Sequence, residues 1–592
     1  MKIYLSPRLL RSMLLVSLLG LLTLAMVSCG GGGGGGGGPE LLYITDWTNR
    51  GRAVTGLSQR IQVFDSQNRL KKSIVMNQDS TSLQQVNLAG IGSGVVRLFV
   101  ELFSQRDLAG VRTGVIESLV DLGSTSTFRS TVGEDPTSVA VTPASSSFEA
   151  GRGKQFYAAG FIGNRAAFIE ADSVTWQTLG GTASVTDTGF VQGESEGNGT
   201  VRATHTPTGL QGSGVFTVTA PQTTTAKWTV MVFMNAANDL YPFSVLNMNQ
   251  MESVAQNEDV RFVVQWKQSK SIFSGSTFDG TRRYLVKPDT TDSIASDLLQ
   301  DLGGEVDMGN PDYLHDFVQW AKTYYPAERY CLVIWNHGNG WRRDVSELPS
   351  RAVSYDDETG NAIQIWEMAQ ALGSNVFDIV AFDASLMQMV EVAVEIKDRA
   401  KFVVGSEESP PGEGYPYQLI FDNFRDAPDE TTLNLSKAFV DGMLAVPAYA
   451  SRKITQSVID TTKLSALETA LDGLAGQLIA NVGTIGTQVQ NIRTAAQSYS
   501  PTSFRVFRDI DHLCQLIASN IAITAVQNAA NAVRTALADA VVWEGHNSNS
   551  SGSNGLSIDF SSGDQFQFSA EDYALMRFAN GTQWNEWLAV AP

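Results

Sequence analysis

The sequence predicts a C-terminal α/β domain with a doubly wound, mostly parallel sheet, preceded by two all-β sandwich domains. Two short apolar runs, Cys331–Trp335 and Ile379–Phe382, are rich in β-branched and aromatic residues, as buried parallel strands are. Such runs alternate with helical patterns over residues 227–592, which indicates repeated β-α units. Over residues 41–220 the apolar runs are short and separated by polar turns, without a sustained helical period, which predicts sandwiches.

The N-terminus resembles a bacterial lipoprotein signal peptide over residues 1–28. A basic start precedes the apolar run Met13–Met26, and Cys29 follows as the residue that would carry the lipid. An ordinary transmembrane anchor is the alternative, but the run is short for one. Residues 29–40 are then the lipidated cysteine and a flexible poly-glycine tether. By resemblance to other lipoproteins, Gly30 favours the outer membrane, on either its periplasmic or its outward face.

Composition limits the classes of function. The net charge of −19 argues against a nucleic-acid partner. Three cysteines cannot form a disulfide framework, and Cys331 and Cys514 are expected to be inert core thiols. None of the five histidines has metal-ligand spacing, so no cofactor is expected. The Asn238–Asp239 turn could hold Ca²⁺, although no EF-hand loop supports this.

The two N-terminal domains differ in how much their sequences reveal. Residues 41–132 carry no chemical signature beyond strand patterns. Residues 133–220 contain alternating strands, turn glycines and a single tryptophan, Trp176, to fill a core between two sheets. This segment resembles a group 2 bacterial Ig-like domain over its whole length. Such domains are usually spacers or adhesive modules, and both roles remain open here.

Reactive side chains follow the two predicted buried strands at the point where each one ends. His337 follows the first strand, with Gly338 next to it, and Asp383 and Ser385 follow the second. In open α/β sheets, ligands bind beyond the carboxyl ends of the strands. A base after one strand and a nucleophile after the next is a recurring catalytic arrangement.

The segments Trp335–Gly338 and Asp383–Ser385 resemble the matching motifs of the clostripain-like cysteine peptidases, which have a caspase-like fold. The resemblance covers residues 227–592 and implies peptide or protein substrates. It implies His337 as the base and the Gly338 amide as an oxyanion donor. It also implies that Asp383 lines a pocket that selects arginine or lysine. Two further residues, Glu407 and Glu413, could add negative potential there, and a solvated loop is the alternative for both.

The sequence departs from the family at the nucleophile, because Ser385 stands where the family has cysteine. A thiol has a pKa of about 8.5, so a nearby imidazole readily produces the thiolate. A serine hydroxyl is far less acidic, and serine peptidases support the histidine with a carboxylate. The sequence does not identify such a carboxylate. An alternative interpretation is that Ser385 only caps the helix expected after it.

Three functional hypotheses follow. The favoured one is a lipid-anchored, monomeric homologue that is inactive or weakly active and binds basic peptide segments. The second is a working endopeptidase in which His337 activates Ser385 to cleave after arginine or lysine. The third is a surface adhesin or spacer that acts through its Ig-like domains. Some family members mature by cleavage at a basic residue in the loop that here contains Arg342, Arg343 and Arg351, and an incompetent nucleophile predicts a single, uncleaved chain.

Overall fold

A computed structural model describes most of the chain. The described residues are 40–48, 55–66, 69–79, 82–170, 172–221, 224–342, 352–503 and 505–592. The predicted signal peptide, Cys29, Arg343 and Arg351 lie outside them, so the lipid anchor stays a prediction. None of the helices in the described part of the chain combines the length and the hydropathy of a membrane span.

The N-terminal part of the described chain is built from β-strands alone, apart from one short 3-10 turn. These strands are β1 Leu41–Asp46, β2 Ser58–Phe64, β3 Leu70–Asn77, β4 Leu83–Leu88, β5 Val95–Phe103, β6 Arg112–Asp121, β7 Thr127–Thr131, β8 Ser138–Thr142, β9 Ser145–Glu149, β10 Gly153–Gln155, β11 Tyr157–Ile162, β12 Arg165–Ala167, β13 Val174–Leu179, β14 Ala183–Val185, β15 Phe190–Gly193, β16 Gly197–His205 and β17 Leu210–Thr219. Alternate residues of β17 are buried, as expected for a strand with one face on a core.

The predicted all-β sandwiches are confirmed, but they share one sheet. A six-stranded sheet has the order β4-β1-β7-β12-β11-β8, and β7 pairs with β12 in parallel. Strands from both predicted domains therefore hydrogen-bond to each other. The other strands form sheets β3-β2-β5-β6, β13-β16-β17-β9 and β10-β15-β14. Among the described residues of 133–220, no large aromatic side chain is exposed, so a cluster of exposed aromatics that would favour adhesion is not seen there.

The C-terminal domain is organised around a nine-stranded sheet. Its strands, in spatial order, are β21 Asp297–Gly303, β20 Gly280–Leu285, β19 Val260–Gln268, β18 Ala226–Ala236, β22 Ala327–Trp335, β25 Phe377–Asp383, β26 Ala400–Gly405, β27 Thr455–Asp460 and β29 Val541–His546. The five central strands β19, β18, β22, β25 and β26 are parallel, and the two strands at each edge are antiparallel. Two antiparallel strand pairs lie outside the sheet: β23 Val353–Asp356 with β24 Asn361–Ile363, and β28 Phe507–Asp509 with β30 Ser557–Asp559.

Helices cover both faces of this sheet, so the doubly wound arrangement is confirmed. They are α1 Tyr241–Val254, α2 Pro311–Tyr324, α3 Met368–Leu372, α4 Val390–Glu395, α5 Tyr417–Ile420, α6 Thr432–Ala445, α7 Leu464–Ala495, α8 Ile510–Asn520, α9 Thr524–Ala540, α10 Gly563–Phe566, α11 Ala570–Tyr573, α12 Arg577–Gly581 and α13 Trp584–Val590. Successive residues of β18 point to opposite faces: Val232 joins the core beneath α1 and α6, and Phe233 joins the core beneath α2 and α7.

The Ig-like domain packs against helix α2 of the C-terminal domain. The Trp320 indole N–H donates to the Gly151 carbonyl at 3.4 Å, and the Arg152 guanidinium lies 5.8 Å from the centre of the Tyr325 ring. Gly151 has a φ of 82°, and a Cβ there would lie 2.3 Å from the Tyr324 ring. Only glycine permits this close approach, which ties the sandwich to the α/β domain.

A buried ion pair joins strand β19 of the sheet to strand β23 outside it. Lys267 Nζ lies 2.8 Å from Asp356 Oδ2, both side chains are 0% exposed, and Nζ also donates to the Val306 carbonyl at 2.8 Å. Burial raises the pKa of Asp356, and Lys267 opposes that rise. Removing the lysine would leave a buried carboxylate without its partner.

Lys267→Ala is expected to lower the free energy of unfolding by roughly 3–5 kcal/mol, because Asp356 would lose its countercharge in a dry site. Lys287→Ala is the matched control, since Lys287 lies 3.6 Å from Asp297 with both side chains about half exposed. It should cost less than about 1 kcal/mol. Urea unfolding of the two variants tests this, and equal losses would contradict it.

Candidate active site

Three neighbouring parallel strands, β18, β22 and β25, end at the same edge of the sheet. Met234 pairs with Trp335, and Trp335 pairs with Asp383, so the three strand ends lie in register. The next residues of these segments include Asp239, His337 and Ser385. The edge therefore gathers a carboxylate, an imidazole and a hydroxyl, the three groups of a serine-type site.

Buried asparagines hold the first two of these segments together. Asn336 Nδ2 donates to the carbonyls of Asn235 at 2.6 Å and Tyr355 at 3.0 Å. Asn238 Nδ2 donates to the same two carbonyls, at 3.3 Å and 3.0 Å. The Tyr355 N–H in turn donates to Asn336 Oδ1 at 2.7 Å. Because His337 and Asp239 each follow one of these asparagines, the shared bonds fix their relative positions.

His337 has a carboxylate partner that sequence reasoning missed. Asp239 Oδ1 lies 2.5 Å from His337 Nε2. The histidine side chain is 24% exposed and the aspartate side chain 73% exposed, so the pair lies at the mouth of the site. The sequence prediction considered the Asn238–Asp239 turn only as an ion site. Instead, Asn238 uses its amide to hold backbone groups, including the Leu240 N–H, which donates to Asn238 Oδ1 at 3.0 Å.

Ser385 lies in a turn after β25 and does not cap a helix. Helix α4 begins at Val390, its N-cap is Met389, and no side chain caps it. The capping interpretation of Ser385 is therefore wrong, because the helix starts more than a full turn further along the chain. The Ser385 side chain is half-buried, and its hydroxyl makes no hydrogen bond to any described residue. Leu386, next to it, has a φ of 65°, which turns the chain sharply at this point.

The Gly338 backbone packs directly beside the Ser385 turn. A Cβ at Gly338 would lie 2.4 Å from the Ser385 carbonyl oxygen and 2.9 Å from Met387 Sδ. The absence of a side chain thus brings the segments of the base and of the hydroxyl into contact. The role of the Gly338 amide as an oxyanion donor stays a prediction.

Asp383 lies almost completely buried beneath this edge. Its two oxygens accept the Tyr415 N–H at 2.9 Å and the Tyr417 hydroxyl at 3.0 Å. Burial raises the pKa of Asp383 to about 7, and the hydrogen bonds from Tyr417 and Tyr415 oppose that rise. Gly414, with a φ of 66°, covers the carboxylate so closely that a Cβ would lie 2.6 Å from Oδ1.

The structure separates the two glutamates that were grouped with Asp383. Glu407 is 1% exposed, and its carboxylate accepts the Tyr499 hydroxyl at 3.0 Å and the Gly555 N–H at 3.2 Å. Burial and the nearby Asp509 carboxylate raise the pKa of Glu407 well above its usual range. Both interpretations of Glu407, as a contributor to the substrate pocket and as part of a solvated loop, are therefore wrong. Its side chain is hydrogen-bonded in the interior of the domain.

Glu413 lies in the loop that covers Asp383, directly before Gly414. Its side chain is half-buried, and its carbonyl accepts the Asn247 amide at 3.2 Å. Asn247 Oδ1 also accepts the Trp335 indole N–H at 2.8 Å, which ties this loop to β22. A contribution of Glu413 to substrate binding stays a prediction.

The structure places the two described thiols and Arg342, the described arginine of the predicted processing loop. Cys331 and Cys514 are fully buried, and burial raises the pKa of both thiols. Arg342 is buried and donates to Ser569 Oγ at 2.7 Å. Within the described ranges, no group of three histidine, cysteine or acidic side chains could hold a metal ion.

Comparison with known proteins assigns the C-terminal domain to a family. Residues 232–589 match the model of the clostripain family of peptidases. The chain belongs to the clostripain family. The caspase-like α/β fold predicted for this domain is thereby confirmed. Residues 135–215 of this clostripain homologue match the bacterial Ig-like domain, group 2.

Individual relatives are distant from this clostripain homologue. Clostripain of Hathewaya histolytica is 25% identical over 222 residues, which span 34% of this chain and 42% of clostripain. An inactive zymogen C11 protease from Parabacteroides distasonis is 19% identical, with 61% of this chain and 99% of that chain covered and a TM-score of 0.47. A secreted C11 cysteine protease from Bacteroides thetaiotaomicron, solved with an irreversible peptide inhibitor, is 20% identical, with 61% and 99% covered and a TM-score of 0.44.

Gly338→Ala is expected to destabilise the fold by roughly 1–3 kcal/mol, because its Cβ would overlap the Ser385 carbonyl and the two segments would have to separate. Gly275→Ala is the matched control, since no heavy atom lies within 4 Å of a Cβ there. Thermal unfolding of both variants measures the difference. A Gly338→Ala protein as stable as the control would show that the two segments are not in contact.

Proposed function

We propose that this clostripain homologue binds peptide segments by receiving an arginine or lysine side chain at Asp383, at the surface of a cell envelope to which Cys29 anchors it. The observation that carries the proposal is the buried Asp383 carboxylate, held by two tyrosine donors beneath the Ser385 turn. A basic peptide is the ligand whose charge complements such a group.

The surroundings of Asp383 favour a cationic ligand. Each carboxylate oxygen accepts one hydrogen bond, from the Tyr415 N–H or the Tyr417 hydroxyl, and a carboxylate oxygen can in general accept a second one from a guanidinium or ammonium group. Burial and the Asp383 charge keep the pKa of Tyr417 well above its usual range, so its hydroxyl remains a donor. Among the described residues no cation lies against the carboxylate, and a cationic ligand would supply that countercharge.

The thiol chemistry of the family is lost at this site. Position 385 holds serine, and both described cysteines are buried in the core. Binding of basic peptide segments therefore does not depend on a reactive thiol. The predicted lipid anchor at Cys29 supports presentation of this site at a membrane, with the outer membrane as the proposed location.

A peptide with one arginine is expected to bind about tenfold more tightly at about pH 8 than at about pH 6, because Asp383 is neutral below its pKa of about 7 and charged above it. The test is fluorescence anisotropy with Ser385→Ala, which prevents turnover. A citrulline peptide, which has the same shape without the charge, should show no such change, and Asp383→Asn should remove the difference between the peptides. Equal pH dependence for both peptides would exclude Asp383 as the binding group.

Ser385→Cys is expected to cleave arginyl fluorogenic peptides at least about tenfold faster than the parent, because a thiol ionises far more readily than a hydroxyl beside His337. Adding His337→Ala should abolish that gain. The measurement is release of the fluorophore by the chain from residue 39 onward. A Ser385→Cys protein that binds the arginine peptide but does not cleave it would show that residue 385 and His337 are not aligned.

A further inference from the structure

We infer that this chain hydrolyses peptides as a serine-type enzyme, with Ser385 as nucleophile, His337 as base and Asp239 as the residue that positions His337. This inference rests on the proposed function for its substrate, a peptide with a basic residue at Asp383. It reverses the order of the first two sequence hypotheses, because the carboxylate that the favoured one lacked is present beside the histidine.

The contact with Asp239 selects the form of the histidine that a serine needs. A carboxylate accepts hydrogen bonds, so Asp239 Oδ1 at 2.5 Å holds the proton on His337 Nε2. The other ring nitrogen, Nδ1, then carries the lone pair that can take a proton. A histidine without this partner would divide between two tautomers, only one of which is useful.

The turn that carries Asp239 is built to keep the carboxylate in place. Asn238 is bonded to two backbone carbonyls that also hold Asn336, the residue before His337. The 14-residue helix α1 begins at Tyr241, two residues after Asp239. The bonds of Asn238 and the start of the helix therefore support the position of Asp239.

The proposed reaction uses only the peptide and water. His337 Nδ1 takes the Ser385 hydroxyl proton while Oγ bonds to the peptide carbonyl carbon, and the carbonyl π pair moves to oxygen. When the carbonyl re-forms, the C–N bond breaks, and the imidazolium gives its proton to the leaving amine. Water then attacks the serine ester: His337 takes a water proton, the C–Oγ bond breaks, and the proton returns to Oγ.

A serine depends on this support more than a cysteine does. A thiol largely loses its proton before attack, so the histidine needs only to stabilise an existing thiolate. A hydroxyl loses its proton during attack, so orientation and tautomer of the base enter the rate directly. The same change at Asp239 should therefore have unequal effects with the two nucleophiles, and this inequality distinguishes a positioning role from a structural one.

The test compares four proteins: the parent, Asp239→Asn, Ser385→Cys and the double variant. With Ser385 as the nucleophile, Asp239→Asn is expected to lower kcat on an arginyl fluorogenic peptide roughly 100-fold. This is the lower end of the rate contribution of general acid–base catalysis, because Asp239 is largely exposed. In the Ser385→Cys background, the same change should lower kcat by less than about threefold. KM should change little in either background.

Two further measurements keep the result interpretable. Asp539→Asn, an exposed aspartate on helix α9, is the surface control and should leave kcat unchanged. A hydrogen-bonded imidazole N–H resonance, shifted downfield in the proton NMR spectrum of the parent, should disappear in both Asp239→Asn and His337→Ala. Loss of that signal reports the contact whether or not turnover is fast.

Three outcomes would overturn the inference. In the first, the parent cleaves the peptide no faster than Ser385→Ala, while Ser385→Cys does cleave it. In the second, Asp239→Asn lowers kcat by the same factor whether residue 385 is serine or cysteine. In the third, none of the four proteins cleaves the peptide. Binding of the arginine peptide distinguishes the two proposals: if binding persists in these cases, the proposed function stands without hydrolysis, and if binding is lost, the proposed function fails as well.

Discussion

Two backbone carbonyls, those of Asn235 and Tyr355, hold the active edge of this protein together. Asn238 and Asn336 each donate their side-chain amide to both carbonyls, deep in the interior. Buried amides must be hydrogen-bonded, so neither asparagine can move without leaving polar groups unpaired. The residues that follow them, Asp239 and His337, are thereby placed side by side although 98 residues separate them in the chain.

The same edge holds buried carboxylates whose roles differ with their partners. Glu407 and Asp509 meet in the interior around the Tyr499 hydroxyl, where they join three chain segments. Asp383 has only neutral donors, the Tyr415 N–H and the Tyr417 hydroxyl, so its charge is solvated by dipoles and not balanced by a cation. A buried anion of this kind is costly unless a cation arrives, which is the physical basis for linking it to a basic ligand.

The sequence allowed the positions of residues at the ends of buried strands to be predicted, whereas their roles stay predictions. His337, Ser385 and Asp383 were predicted because apolar runs ended at them, and parallel strands share an edge. Asp239 was missed as a partner of His337 because the sequence does not reveal the spatial order of the strands. In the sheet β18 lies beside β22, whereas β19 to β21 come between them in the sequence. The burial of the Glu407 side chain could not be predicted either, because it depends on hydrogen bonds from Tyr499 and Gly555, which are distant in sequence. Ser385 was expected at a helix start because serine favours caps, but a turn intervenes before the helix begins at Val390.

The serine at position 385 and the aspartate beside His337 are best understood together. A thiol site tolerates a loosely held imidazole, whereas a hydroxyl site requires one tautomer in one orientation. The exposed position of Asp239 weakens its hold on His337, because water screens the pair. A peptide lying across the edge, with its basic side chain at Asp383, would displace that water and strengthen the Asp239–His337 contact. Binding at Asp383 and orientation of the base would then be coupled, so that the site becomes competent only when a basic peptide covers it.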